Sequence, residues 1–242
     1  MGRVKILDIF VDNLEWGRVA DFAEKYIRSR KGHQIITANC LMANAVGRDS
    51  QLKRALHNAD LVVADSIGIV WASEFLGYGK IARVPGIDLM LKFCEMAAGK
   101  GYSVYLLGAH QFVLRKAAEN LAKRFSGLRI IGMHHGYFRE NEDGRILKEI
   151  RNLKPDFLFV GIGTPRGEKW IYQNVRELNV PVCMGIGGSL DVISGKLNRA
   201  PRRLRQIGFE WTYRLLQEPR RIAGLPGLLC FVWKVIRQKL RR

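Results

Sequence analysis

Short apolar runs alternate along this chain with longer stretches in which apolar positions recur every three to four residues. The short runs predict strands at Val4–Phe10, Gln34–Thr37, Leu61–Ala64, Ser103–Leu107, Arg129–Gly132, Phe157–Gly161 and Val182–Ile186. Helical periodicity predicts helices near 15–30, 41–57, 67–77, 87–99, 111–125, 142–153 and 166–178. The clearest is "HQFVLRKAAENLAKRF" (110–125), where Val113, Ala117, Leu121 and Phe125 share one face. Apolar strands that alternate with helices predict an α/β fold: a Rossmann-like, mostly parallel sheet with helices on both faces. Such sheets bind ligands beyond the carboxyl ends of their strands.

After Gly195 the pattern changes and no further strand is predicted. "PRRLRQIGFEWTYRLLQEP" (201–219) reads as a helix set between two prolines. A second helix is predicted from about Leu228 to Leu240. Leu228, Leu229, Val232, Val235, Ile236 and Leu240 fall on one side of it, with Lys234, Arg237 and Arg241 opposite. The chain therefore divides into an α/β catalytic core (1–195) and a basic helical appendage (196–242). An apolar face backed by cations suits a helix lying on an anionic membrane surface. Packing of that face on its own domain is the alternative.

Charge sharpens this division. The 242 residues carry a formal net charge of +18, and 13 Lys and Arg against Glu210 and Glu218 place +11 of it in 196–242. Such an excess implies an anionic partner: nucleic acid, an anionic membrane or a phosphorylated substrate. No helix-turn-helix, RNP or zinc-finger pattern is present, and the basic tail is interleaved with aliphatics, so no nucleic-acid partner is expected. A composition of 48% hydrophobic and 26% charged residues is that of a globular chain. Cys40, Cys94, Cys183 and Cys230 are widely spaced and form no CxxC pair, which predicts reduced thiols in a cytoplasmic protein. The N-terminus lacks the long apolar core of a signal peptide, and the most apolar stretch, Gly224–Trp233, is too short to span a membrane.

The candidate chemistry lies at the ends of the predicted strands. "LVVADSIGIVW" (61–71) runs an apolar strand into Asp65, which is either a cap for the helix beginning near Ile67 or a catalytic carboxylate at the mouth of a crevice. "IITAN" ends in Thr37 and Asn39, and "VYLLG" ends in Gly108. "GIGTPRG" (161–167) has the spacing GxGxxxG, not the GxGxxG of a dinucleotide fingerprint. Its glycines, Gly163 among them, can still bare backbone amides to a phosphate at a helix N-terminus. "GIGGSLDVISGK" (185–196) repeats the device with Gly187 and Gly188. There Ser189 is placed to cap a helix and Asp191 to charge its first turn, and a ribose or phosphate would fit. "RVPGIDLM" (83–90) sets Arg83 in a loop, where a guanidinium can hold a diphosphate by paired bonds. The adjacent histidines of "MHHGYF" (133–138) would point to opposite faces of a strand and make a poor metal pair. No DxD pair occurs, so no metal and no cofactor is expected, and a diphosphate would have to be met by arginine and lysine.

Taken in order, "TAN" (37–39), "LVVADSIGIVWA" (61–72), "RVPGIDLM" (83–90), "YLLGA" (105–109), "HHGYF" (134–138), "GIGTPRGEKWI" (161–171), "GIGGSLDVISGKLNRAP" (185–201) and "FEWTYRLLQEPRR" (209–221) resemble the WecG/TagA/CpsF glycosyltransferases over nearly the whole chain. The resemblance implies an inverting, metal-independent transfer from a UDP-sugar to a polyprenyl-diphosphate-linked sugar in cell-surface polysaccharide synthesis. The donor sugar would be N-acetylmannosamine, its uronic acid or glucose. It implies a peripheral protein on the cytoplasmic face of the plasma membrane, docked on the anionic surface by its C-terminal helices. It casts Asp65 as general base with Thr37 beside it. Substrate contacts are expected from Asn39, Arg83, Gly108, Tyr137, Gly163, Gly187, Gly188, Ser189 and Asp191, with Arg214 and Arg221 brought over the site by the appendage. A homo-oligomer is admitted. Four positions depart from the usual pattern: Ala64 and Ser66 stand where proline and glycine are common on either side of the aspartate, Gly167 where glutamine is, and Ala38 where proline or leucine is. They bear on the donor sugar more than on the reaction type.

Overall fold

The computed structural model describes every residue except 1, 140, 141, 207, 209 and 242, and the side chains of all these residues except 206, 220 and 221. A six-stranded parallel sheet forms its centre. In chain order its strands are β3 (Gln34–Ala38), β4 (Leu61–Ala64), β5 (Ser103–Gly108), β6 (Arg129–His134), β7 (Phe157–Gly161) and β8 (Val182–Gly185). In space they run β4-β3-β8-β7-β5-β6. This is the α/β architecture that the alternating pattern predicts. Every residue of β3, β4, β5, β7 and β8 is buried, because helices cover both faces. Only the edge strand β6 is partly exposed.

Alternation along the strands sorts side chains to the two faces. Ile35, Val63, Leu106 and Phe159 pack under α1 (Trp16–Ser29), α5 (Gly86–Lys100) and α6 (Gln111–Arg124). Ile36 and Val62 pack with α3 (Ser50–Asn58) and α4 (Ile67–Phe75), and Leu107 and Leu158 with α7 (Asp143–Leu153) and α8 (Arg166–Leu178). The short helices α2 (Cys40–Ala45) and α9 (Ser189–Ile193) follow β3 and β8.

Three elements differ from the pattern reading, among them the helix predicted over 41–57, which is the two helices α2 and α3. Val4–Phe10 is not one strand but an antiparallel hairpin of β1 (Arg3–Ile6) and β2 (Ile9–Asp12). Leu7 turns it with left-handed backbone (φ 52°), so Ile6 and Ile9 both point inward. The stretch 201–219 is likewise broken, into α10 (Arg202–Gln206) and α11 (Glu210–Gln217). Gly208 stands between them at φ 82°, and a Cβ there would meet the Ile67 side chain at 2.8 Å.

The last helix, α12 (Leu225–Leu240), divides its apolar residues. Phe231 and Val235 are buried in the cluster that holds Ile36, Val62 and Ile69. Gln238 reaches the hairpin, accepting from the Leu7 amide at 2.8 Å. Leu229, Val232, Trp233, Ile236 and Leu240 stay exposed. Val235, which the sequence places with the last group, therefore belongs to the core. Phe231→Ala is expected to cost about 3–5 kcal/mol, read as a lowered thermal midpoint. An unchanged midpoint would contradict this packing.

Candidate active site

The carboxyl ends of all six strands open into one cleft of about 1020 Å³. Asp65 lies on its floor, one residue beyond β4. Parallel pairing of β3 with β4 sets Ala38 beside Ala64, so Thr37 and Asp65 come together at neighbouring strand ends. The Asp65 amide donates to the Ala38 carbonyl at 2.9 Å, which fixes the turn.

Asp65 does not cap the helix that follows it. Ser66 occupies the cap position of α4 and makes no side-chain cap bond. The Asp65 carboxylate instead accepts from the Gly86 amide at 2.7 Å, one of the free donors at the start of α5. Gly86 must be small: a Cβ there would lie 2.7 Å from the Thr37 hydroxyl. Burial pushes the Asp65 carboxyl above the ordinary aspartate range, against the pull of that amide, Arg214 and Arg83, while Glu210 adds to the rise.

The arginines come from two directions. Arg83 Nε donates to the Asp65 carbonyl at 2.9 Å and Nη1 to the Arg205 carbonyl at 2.8 Å. Arg214 reaches in from α11. Glu210, nearly buried, joins the two: Arg214 Nη2 lies 3.1 Å and Arg83 Nη2 3.7 Å from its carboxylate. The segment after Gly195 thus forms one wall of the cleft, with Gly208, Glu210, Trp211 and Arg214.

The glycine turns line the facing wall. Gly163 (φ 90°) lies in the turn between β7 and α8, and Gly187 (φ 49°) and Gly188 in that between β8 and α9. Ser189 does not act as a cap, since its hydroxyl donates to the Ile186 carbonyl at 2.6 Å. Asp191 lines the cleft in an ion pair with Lys196 at 2.8 Å. Tyr137 stands at the rim, 75% exposed, with its ring edge-on to His110 at 6.0 Å. Asn39 lines the cleft, but its side-chain oxygen caps α2 by accepting from the Met42 amide at 3.0 Å.

Two expected residues stand apart. Gly108 is not in the lining: its φ of 140° and a Cβ position 2.4 Å from Gly161 backbone show that it lets β5 and β7 end side by side. The Arg221 side chain lies outside the described residues. Conversely, the cleft includes His110, Arg139, Arg166, Lys196, Glu168 and Glu210, none of which the motifs single out. Arg166 and Glu168 flank Gly167 inside a quoted motif. There they read as ordinary charges at a helix start.

A carboxylate fixed at the ends of a parallel sheet, in a cleft walled by arginines and glycine turns, is an arrangement suited to group transfer on an anionic substrate. The chain belongs to the glycosyl transferase WecG/TagA/CpsF family, whose model matches residues 4–242. It is similar to the N-acetylglucosaminyldiphosphoundecaprenol N-acetyl-beta-D-mannosaminyltransferases of Staphylococcus aureus strains MW2, NCTC 8325 and COL. Each is 33% identical over 239 residues, covering 98% of this chain and 93% of the relative. The protein is a glycosyltransferase.

Proposed function

We propose that this enzyme transfers N-acetylmannosamine from its UDP derivative to N-acetylglucosaminyl-diphospho-polyprenol, with inversion and without a metal. The acceptor and the sugar follow the printed activity of the S. aureus relatives. The observation that carries the mechanism is the placement of Asp65. Its carboxylate is fixed by the Gly86 amide and flanked by Thr37, Arg83 and Arg214. Ionised Asp65 takes the proton from the acceptor hydroxyl as its oxygen attacks the anomeric carbon. The bond to the UDP oxygen breaks on the opposite face, and UDP leaves with the electron pair. Arg83 and Arg214, with Arg139, Arg166 and Lys196 on the same cleft, meet the charge that grows on the diphosphate. One displacement needs one carboxylate as base, unlike the two carboxyls of glycoside hydrolysis.

Residues 1–195 supply the core of this site, and 196–242 add Lys196 and Arg214 to it and bring it to the membrane. No helix among the described residues is long and apolar enough to cross a bilayer. The exposed Leu229, Val232, Trp233, Ile236 and Leu240 instead form one stripe on α12, flanked by Arg237, Lys239 and Arg241. That combination suits an anionic membrane surface. Leu41 joins the stripe's helix to the cleft, because it lines the cleft and touches the positions of Gly224 and Gly227. A peripheral enzyme docked this way would meet its lipid-linked acceptor at the cytoplasmic face of the plasma membrane.

The test is UDP release from a panel of UDP-sugars, with a short-chain polyprenyl-diphospho-N-acetylglucosamine acceptor and EDTA present. Acceptor-dependent release from UDP-N-acetylmannosamine, unchanged by chelator, is expected. Release from another sugar alone would overturn the donor assignment, and loss of release in EDTA the metal-free mechanism.

A further inference from the structure

Glu168 is a carboxyl that the mechanism above leaves without a role. It is the third residue of α8 and 2% exposed, yet it lines the cleft. Its Oε2 is buried with no hydrogen-bond partner. Its other oxygen presses on β8, where a Cβ on Gly185 would meet Oε1 at 2.6 Å, so glycine is required there to house the carboxyl.

Ordinary reasons for a glutamate here fail. A glutamate at the third position often closes a capping box by accepting from the cap residue's amide. The cap residue is Pro165, which has no N–H to give. No cation among the described residues neutralises Glu168 either. Lys169 is turned to Asp49 at 2.9 Å, and Arg166 lies over the Phe138 ring at 5.7 Å. Gln34, from β3, donates to the Glu168 backbone carbonyl, not to its side chain. From α7, Asp143 holds the Trp170 indole. Asp65 across the cleft floor is the charged group that Glu168 feels, and Thr164 is the nearby hydroxyl.

We propose that Glu168 is a further substrate-contacting residue: a neutral carboxylic acid whose Oε2 hydroxyl donates a hydrogen bond to an oxygen of the donor sugar. The role presupposes sugar transfer in this cleft, as proposed above. A buried oxygen without a partner is costly, and a substrate oxygen in the cleft relieves that cost. Burial favours the neutral form, pushing the carboxyl up to about 7, and Asp65 adds to the rise while the residue's own amide and Thr164 oppose it. Two neighbouring carboxyls thus divide their work, one ionised to accept a proton and one neutral to donate a hydrogen bond.

The experiment is the pH dependence of kcat/KM for the UDP-sugar, measured for wild type, Glu168→Gln and Glu168→Ala on the short-chain acceptor. Glutamine keeps a donor and the shape but cannot ionise. Wild type is expected to lose activity about tenfold per unit above roughly pH 7, while Glu168→Gln holds its activity there. Glu168→Ala is expected to lose about tenfold in kcat/KM below pH 7, as for one lost hydrogen bond, and to lack the alkaline limb. Melting curves provide the folding control. Burying the ionised carboxylate weakens the native state as pH rises from the unfolded pKa through the raised one, so Glu168→Gln should melt above wild type at pH 8. A shared alkaline limb in wild type and Glu168→Gln would overturn the role. So would an Ala variant with altered melting but unchanged kcat/KM. If wild type itself turns over no donor, the transfer reading fails and takes this role with it. Turnover with a shared limb defeats the role alone.

Discussion

Asp65→Asn is expected to lower turnover by at least about a hundredfold while leaving UDP binding intact. General-base catalysis contributes roughly 10²–10⁴ in rate, and asparagine keeps the shape but cannot take a proton. Its amide oxygen can still accept from the Gly86 amide, so the Arg83 loop and the start of α5 should hold. The same residue sets the acid side of the pH profile. The Asp65 carboxyl is raised above its ordinary value chiefly by burial. A base must be ionised, so activity is fully present above that raised value and falls as pH drops through it. An Asn variant with wild-type turnover would remove Asp65 from the chemistry and leave it as the residue that ties β4 to α5.

Replacing Leu229, Trp233 and Leu240 together by serine is expected to abolish sedimentation with anionic liposomes. All three are well exposed, at 73%, 57% and 82%, so the fold should not depend on them. Each large apolar side chain moved out of water contributes roughly 1.5–3 kcal/mol, so even partial insertion of three shifts membrane partition by at least about a hundredfold. Turnover on a long-chain acceptor in vesicles should fall with binding, while turnover on a short, soluble acceptor should stay near wild type. Wild-type sedimentation of the triple variant would show that the stripe on α12 is not the membrane contact. Raising the salt concentration should weaken wild-type binding without abolishing it, because Arg237, Lys239 and Arg241 contribute the screened part.

How far the sequence foretells this molecule depends on the physics of each element. The parallel sheet is legible because strands buried on both faces must be largely apolar runs, and β3, β4, β5, β7 and β8 are; the partly exposed edge strand β6 carries only a short apolar centre. The β1–β2 hairpin was not legible, since its turn residue Leu7 is apolar and hides the reversal. The helix predicted over 41–57 is two helices, broken where Asp49 caps the second by accepting from the Leu52 amide at 2.9 Å. An aspartate before a helical run announces such a cap, but only if the run is read as starting there. In the site, Thr37, Asp65 and the glycine turns were visible as polar or flexible residues at strand ends. Gly108 carried the same signal for a different reason, the close approach of two strands. Glu168 and Glu210 were missed because a glutamate near a helix start looks like a solvated, dipole-matched charge. Nothing in the local pattern says that β8 or Arg83 and Arg214 will close over it.

The fate of the acceptor tests the assignment of Asp65 most directly. Mass spectrometry of polyprenyl-diphospho-N-acetylglucosamine, after incubation with the enzyme and UDP-N-acetylmannosamine, distinguishes transfer from everything else. A product heavier by one N-acetylhexosamine residue, absent with Asp65→Asn, is the predicted result. UDP released with the acceptor left unchanged would mean hydrolysis of the donor, and would contradict the assignment of Asp65 as the base that activates a lipid-linked sugar.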